Sequence, residues 1–489
     1  MKNILVNILL QVITAITGFI LPPLIIKTFG SDMNGLVSSI GQFVAYLNIV
    51  EAGVGAASIA AMYKPLAEGN FIALNNILSA TRQFYNKSGY IFISLIFFLA
   101  VVFPFIVSGQ VDQTIAFLMV LVLGITGAAE FFLIGKYRVL LMADHKLYVI
   151  SFAQIIGLVL STASAVIFIN TGFSILWVKF LSALIFLARY MIMAIYVRNH
   201  YNGINFKSKP DNEALSQRWD ALVHQIAGLI VFNSPIILLT IFCGLKEVSV
   251  YSIYALVFSA VNQLLSSFSS GIQSFFGQSL VMNDQTQICR QYRKYEAAFY
   301  ALIGWVYTCA IVLIMPFMSI YTKGMTDTNY SRPQLAILFA TVGIANNLRG
   351  PGATLIIAAG HFKQTKYRSL LEAGINLAVS LVLVNIWGIN GVLIGTLCST
   401  LYRTIDVLIY VSKHFLGQSV LISTFDTVLL TLTIFISSFI LLKFVPIISS
   451  NYNMWFYTSC YVGLSLIVPF GGYVLFKWGG KWRSSSVAC

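Results

Sequence analysis

The residues best able to do chemistry are the ionisable and amide side chains that interrupt long apolar segments. The densest group is GIANNLRGPGATLIIAAGH, Gly343 to His361, which sets Asn346, Asn347 and Arg349 beside Gly350-Pro351-Gly352. An arginine at membrane depth costs roughly 2.5 to 3.5 kcal/mol on insertion scales, so such a residue is a functional candidate by default. Gly-Pro-Gly removes a backbone donor and loosens the helix, which a bilayer tolerates only where protein or water satisfies the freed groups. This piece should therefore line a polar cavity inside a bundle. Glu51 lies in IVEAGVGAAS, where Gly53, Gly55, Ala56 and Ala57 permit close helix packing. It reads either as a cavity or ion-coupling carboxylate or as one half of a structural ion pair, and Glu130 poses the same choice. Lys179, just inside an apolar segment, and Lys27, at the end of another, read as snorkelling anchors or as cations at a cavity mouth.

These residues sit in a chain that is 58% hydrophobic and 9% charged, with a mean hydropathy of +0.84. Repeated apolar runs long enough to cross a ~30 Å hydrocarbon layer define an all-α polytopic membrane protein. A membrane barrel is excluded, because its strands alternate over about 10 residues. About fourteen spans are predicted, near 4–26, 36–62, 89–109, 114–138, 148–170, 174–197, 221–243, 250–280, 297–321, 333–358, 368–387, 389–411, 424–447 and 454–476. The segment after Lys2 is too long and uninterrupted for a cleaved signal and reads as the first span. The stretches 63–88 and 281–296 read as longer connections, and no soluble domain fits between the spans.

Charge distribution orients the chain. With both termini cytoplasmic, that side holds all 30 Lys and Arg except Lys27, Lys179, Lys246, Lys323, Arg332 and Lys443. The net charge of +14 is thus accounted for by membrane topology and does not call for nucleic acid. Sliding the Gly343–His361 stretch back along the chain lays it on GAAEFFLIGKYRVLLMADH without a gap. Gly343 then falls on Gly127, Asn346 on Glu130, Ala359 on Ala143 and His361 on His145, and further on Gly388 falls on Gly172. Spans 1–6 therefore correspond to spans 7–12. This predicts two pseudo-symmetric six-helix halves, 1–198 and 221–415, joined by a cytoplasmic linker, 199–220, with two additional helices and a tail in 416–489. Parallel repeats of this kind are a transporter architecture with the substrate path between the halves.

Other signals are weak. Arg189, Arg403 and Asp406 read as positive-inside anchors near the cytoplasmic face, and His145 and His361 as a shared turn more than a metal site. The six cysteines have no metal spacing and read as small buried hydrophobes. The polar spans SSIGQFVAYLN and SAVNQLLSSFSSGIQSFFGQS offer hydroxyls and amides to a pathway, or to helix–helix contacts. No GxSxG, HExxH, P-loop or strand-linked GxGxxG is present, so no enzyme signature stands out.

The two six-span halves resemble the polysaccharide transporters, including O-antigen flippases, of the multidrug/oligosaccharidyl-lipid/polysaccharide flippase superfamily. So do GVGAASIAAMYKPLAEGN (Gly53 to Asn70) and the cytoplasmic turns RVLLMADHK and AAGHFKQTKYRS. The resemblance spans essentially the whole chain. It implies movement of an undecaprenyl-diphosphate-linked oligosaccharide from the cytoplasmic to the periplasmic leaflet of a bacterial inner membrane, by alternating access. It also implies a cavity whose basic residues receive the diphosphate, with Arg349, Lys179 and Lys27 in that role beside Asn346 and Asn347, and Glu51 and Glu130 for ion coupling. No cofactor is implied beyond a proton or sodium gradient. The implied partners are the lipid-linked substrate, the bilayer, and a polysaccharide polymerase with its chain-length regulator. A cation-coupled multidrug exporter of the same superfamily is the alternative, although its cavity should be acidic and aromatic. A lipid II flippase is a close variant. A membrane polymerase or acyltransferase fits less well, because every predicted outer loop is short.

Overall fold

A computed structural model describes residues 2–51, 54–211, 218–281, 285–417, 419–444 and 451–479. Gly53, residues 212–217 of the linker, and Lys481, Arg483 and Cys489 of the tail lie outside the described residues. Among the described residues all regular structure is helical: α1 Lys2–Phe29, α2 Ser31–Leu47, α3 Val54–Glu68, α4 Phe71–Ile106, α5 Gln113–Ala129, α6 Gly135–Ala143, α7 Leu147–Asn170, α8 Ile175–Phe186 and α9 Ala188–His200. The order continues with α10 Arg218–Phe242, α11 Leu245–Val281, α12 Gln285–Tyr321, α13 Pro333–Leu348, α14 Gly350–Ala358, α15 Phe362–Val411, α16 Val420–Phe444, α17 Tyr452–Ser465 and α18 Ile467–Gly479.

Among the described residues, ten helical segments are long and apolar enough to cross a membrane. One of them, Gln364–Leu416, contains two expected spans, because Gly388 adopts φ 54° and breaks α15 in its middle. The remaining three expected spans are present in shorter or interrupted form. The second is split into α2, a 3₁₀ turn at Asn48–Glu51 and α3. The seventh is α10, with its apolar part at Gly228–Phe242. The tenth breaks at Arg349 between α13 and α14, with Pro351 in the first turn of α14 where its missing N–H costs nothing. The chain is an all-α polytopic membrane protein. Its outward apolar side chains, Phe98, Val382, Phe439 and Val468 among them, suit a lipid surround.

Two connections expected as loops are helical. Asn70 caps α4 by accepting from the Ala73 N–H at 3.0 Å. From there Leu74, Ile77, Leu78, Thr81 and Tyr85 bury one face at helical spacing, so residues 71–88 extend the third span beyond the bilayer. In the same way α12 starts at Gln285 and takes in most of the expected 281–296 connection.

The chain divides into two compact units, Met1–Ser252 and Ile253–Cys489, so the division falls inside α11, beyond the expected linker. Local contacts explain the first unit's extent. Gly35 on α2 sits so near α11 that a Cβ there would lie 2.0 Å from the Leu245 carbonyl oxygen. Gln110 Oε1 accepts from the Leu245 N–H at 2.6 Å, Asn34 Nδ2 donates to Ser249 at 2.8 Å, and Ser39 bonds Thr240 at 2.6 Å. The linker's first residues are stitched along α4. Asn75 donates to the Gly203 carbonyl at 2.9 Å and accepts from Asn205 N–H at 2.9 Å, and Ser79 donates to the Ser208 carbonyl at 2.6 Å.

In the second unit α16, α17 and α18 pack along α12. Trp305 Nε1 donates to the Gly463 carbonyl at 2.8 Å and Trp455 Nε1 to the Leu313 carbonyl at 3.2 Å. A buried ion pair, Asp426–Lys477, ties α16 to α18. Cys243, Cys309, Cys398 and Cys460 are free thiols, and Cys398 and Cys460 are exposed where burial was expected.

The left-handed turns recur in order along the chain. Gly30, Gly109, His145, Gly172 and Gly203 are followed by Gly244, Gly324, Gly360, Gly388 and Gly417, all at positive φ, as is Gly69, which has no counterpart among the described residues. His145 is the non-glycine member. Its turn and that of Gly360 close alike: Lys146 N–H bonds the Leu141 carbonyl at 2.8 Å and His361 N–H the Ile356 carbonyl at 3.1 Å. Among the described residues no cluster of His, Cys, Asp and Glu is disposed to hold a metal.

Candidate functional sites

Among the described residues, each unit contains an arginine–carboxylate centre built where a span departs from regular α-helix. In the first unit Glu51 ends the 3₁₀ turn that interrupts span 2, and Glu130 opens a π turn, Glu130–Ile134, between α5 and α6. The π turn has a geometric consequence. Residues eight apart on a regular helix are rotated by about 80°, and one extra residue absorbed in a π turn reduces this to about 20° of the opposite sign. Glu130 and Arg138 thereby come to share a face. Arg138 Nη1 lies 2.7 Å from Glu130 Oε1, and Arg138 Nη2 forms an ion pair with Glu51. Arg189 on α9 approaches the other Glu130 oxygen at 3.3 Å, and the Tyr85 hydroxyl on α4 donates to Glu51 at 2.8 Å. Gly135 makes room for that tyrosine, since a Cβ there would stand 2.3 Å from the ring. The centre holds two carboxylates and two guanidiniums, so its charge is balanced. Arg138 is the most open member, with 32% of its side chain exposed against 15–17% for the others.

In the second unit Arg349 stands at the break between α13 and α14. Its Nη2 donates to Asn346 Oδ1 at 2.7 Å and its Nη1 to Glu372 Oε1 on α15 at 2.6 Å. Arg403 approaches Glu372 at 3.8 Å and donates to Asp406 at 2.6 Å, and Arg368 forms an ion pair with the other Asp406 oxygen. Here three guanidiniums face two carboxylates. Asn347 turns the other way: its Nδ2 donates to Asn262 Oδ1 at 2.6 Å and to the Gly343 carbonyl at 2.8 Å, with the Tyr307 hydroxyl at 3.0 Å.

The sequence candidates thus fall into three groups. Glu51 and Glu130 share one network, Arg349 and Asn346 belong to another, and Asn347 belongs to a buried amide–tyrosine cluster. Lys179 on α8 is half-buried and has no ion pair or hydrogen bond among the described residues, and the same holds for exposed Lys27 at the end of α1.

Sequence reasoning missed the partners. Arg138, Glu372, Arg368 and Tyr85 were not singled out, and Arg189, Arg403 and Asp406, expected as anchors, are network members. A signal for two of them was present. RYMIMAIYVRNHYNG (Arg189 to Gly203) and RTIDVLIYVSKHFLG (Arg403 to Gly417) share Arg, Ile-Tyr-Val, His and Gly at identical spacing. The structure repeats it: Tyr196 stacks on His200 at 4.0 Å and Tyr410 on His414 at 4.2 Å. The Tyr196 hydroxyl bonds Tyr148 at 2.8 Å, and the Tyr410 hydroxyl bonds His361 Nδ1 at 2.9 Å.

Each unit thus holds ionisable groups where its spans break. Comparison with solved structures points to one fold. An inward-facing multidrug resistance MATE family transporter of the MOP superfamily superposes with a TM-score of 0.65 at 13% identity, over 88% of this chain and 99% of that one. The lipid II flippase MurJ, in an inward closed conformation, gives 0.67 at 16% identity over 96% and 99%. A MOP superfamily transporter from Pyrococcus furiosus with a binding pocket of reverse polarity gives 0.57 at 13% over 85% and 95%. At such identities the likeness is one of fold, and the fold is that of MOP superfamily transporters. No protein-family model and no curated protein matches the sequence.

Proposed function

We propose that this protein is a flippase for a lipid-linked anionic oligosaccharide, carrying an undecaprenyl-diphosphate-linked repeat unit for O-antigen, capsule or exopolysaccharide across a bacterial inner membrane by alternating access. The observation that carries this reading is Lys179, an ammonium within an apolar helix that has no counter-charge among the described residues. An unpaired cation in a span is costly unless water or an anionic ligand visits it. Lys27, exposed at the end of α1, would be a second cation at the cavity mouth. Arg349 would contribute through the positive excess of its cluster, with Asn346 orienting it and Asn347 offering amide contacts to sugar hydroxyls. Guanidiniums suit a diphosphate because they bind it bidentately. Glu51 and Glu130 are the ion-coupling candidates, with a proton or sodium gradient as the driving force.

The proposed organisation keeps two repeated halves, 1–198 and 221–415, with both termini cytoplasmic. A polymerase and its chain-length regulator would act on the delivered substrate. A multidrug exporter is the second reading, favoured by the likeness to the MATE transporter and by the carboxylates of the first unit. Lipid II is the substrate to test beside the oligosaccharide, given the likeness to MurJ.

The test replaces Lys179 with Ala and with Arg and measures surface polysaccharide at equal membrane abundance. The alanine variant should lose most polymer and the arginine variant should keep part of it. Wild-type polymer from Lys179→Ala would remove the residue from the pathway.

A further inference from the structure

We infer that Arg138 is an anion-binding residue whose site is occupied in the resting state by the protein's own carboxylates, Glu51 and Glu130, and that proton uptake by those carboxylates opens it to a phosphate group carried on a lipid. The inference rests on the flippase reading for its ligand and deepens it by naming what admits that ligand: a proton bound together with an outgoing anion leaves with it, so this site gates binding and does not itself draw on an inward proton gradient.

Three features argue for an exchangeable network over a fixed brace. The first is placement. Both carboxylates come from irregular turns, and the π turn at Glu130–Ile134 is what brings Glu130 into register with Arg138. Single π turns inside α-helices concentrate at functional sites.

The second is incomplete satisfaction. Glu130 Oε1 faces Arg138 at 2.7 Å yet forms no hydrogen bond of good geometry, and the buried Arg189 Nε has no hydrogen-bond partner among the described residues. The third is access. Arg138 is the most exposed of the four charged members, with 32% of its side chain open.

The charge count gives the coupling. With both carboxylates ionised, Glu51, Glu130, Arg138 and Arg189 sum to zero and Tyr85 adds a neutral donor. One proton taken by Glu130 from water leaves the guanidiniums in excess by one, and a second taken by Glu51 leaves them in excess by two. Among the described residues no other charged side chain lies within ion-pair distance of these four. Two oxygens of a phosphate can accept the paired N–H groups of a guanidinium as carboxylates do, so the ligand competes with Glu51 and Glu130 for the Arg138 donors. Proton uptake and anion uptake therefore favour one another, and by linkage the anion raises the proton affinity by the same factor.

The test uses the full-length protein in detergent with farnesyl diphosphate and inorganic pyrophosphate as probes, titrated calorimetrically between pH 8 and pH 5. Acidification protonates the probes themselves, which weakens them as ligands, so any gain comes from the protein. Wild type should bind about tenfold more tightly for each proton the site takes up per decade of acidity. Glu130→Gln, a near-isosteric change, should bind at pH 8 as wild type does at low pH and lose most of the pH dependence. Arg138→Lys should keep weaker binding and Arg138→Gln should lose it, with thermal unfolding of each variant recorded in parallel. Stronger binding of farnesyl diphosphate than of pyrophosphate identifies a lipid-borne group, and equal binding a free diphosphate. A flat or falling affinity on acidification, or Glu130→Gln behaving as wild type, overturns the inference. If Glu130→Gln gains affinity while cells lacking the protein still export polymer, the site stands and the flippase reading fails. If neither probe binds while polymer export depends on the protein, the reverse holds.

Discussion

Arg349→Ala tests the physical account of the second polar centre most sharply. Arg349 and Glu372 keep 16% and 9% of their side chains exposed, and they are joined by a 2.6 Å hydrogen bond across the break in span 10. Deleting one partner of a buried pair costs about 3–5 kcal/mol, because the remaining charge stays desolvated. Glu372 would retain only Arg403 at 3.8 Å, a contact that offsets part of the loss. The expected destabilisation is therefore at the low end, about 3 kcal/mol. Replacing both residues, with Arg349→Leu and Glu372→Leu, removes the stranded charge and should cost less than the single alanine change. The assay is equilibrium unfolding in mixed SDS–maltoside micelles over the full double-mutant cycle, with membrane abundance measured in cells. A coupling below about 0.5 kcal/mol, typical of exposed pairs, would refute the reasoning. The same outcome would leave Arg349 free to act on substrate alone.

Other predictions follow from single contacts. Gly135→Ala should drive a methyl into the Tyr85 ring, weaken the Tyr85–Glu51 bond and cost about 1–3 kcal/mol, read from the same unfolding assay. Burial and the hydrogen bond to Asp144 hold the Tyr201 phenol well above the ordinary tyrosine value of 10.0, so its neutral form is the folded one. Its contribution should be fully present below pH 10 and disappear as pH rises further, so the stability gap between wild type and Tyr201→Phe should stay constant from pH 6 to 9 and narrow only in strong alkali. Lys207→Cys, in the segment stitched to α4, should react with impermeant maleimide from the cytoplasmic side alone. Labelling from outside would invert the proposed topology.

How much of this was legible in the sequence depended on whether a feature is local. Arg349 beside Gly-Pro-Gly announces a broken span, and the structure breaks there. The fourteen apolar segments are found because hydropathy needs no partner. Register is harder. Arg138 lies eight residues after Glu130, a spacing that a regular helix would place on different faces, and only the π turn reconciles them. Arg189 and Arg403 read as interfacial anchors because depth along a span does not show which neighbour approaches. The extension of α4 read as loop because Asn75, Asn76, Ser79 and Arg82 break its hydropathy, although those residues hold the linker. The division at Ser252 depends on α10 packing against α2, a contact between residues about two hundred positions apart that no local pattern encodes.

The most direct test of the central claim deletes the gene and extracts polyprenyl-linked sugars from cytoplasmic-facing and outward-facing leaflets. The flippase account predicts loss of surface polymer with a complete repeat unit accumulating on the cytoplasmic leaflet, restored by the wild-type protein and not by Lys179→Ala. Unchanged polymer together with new sensitivity to cationic drugs would contradict it and assign the chain to drug export.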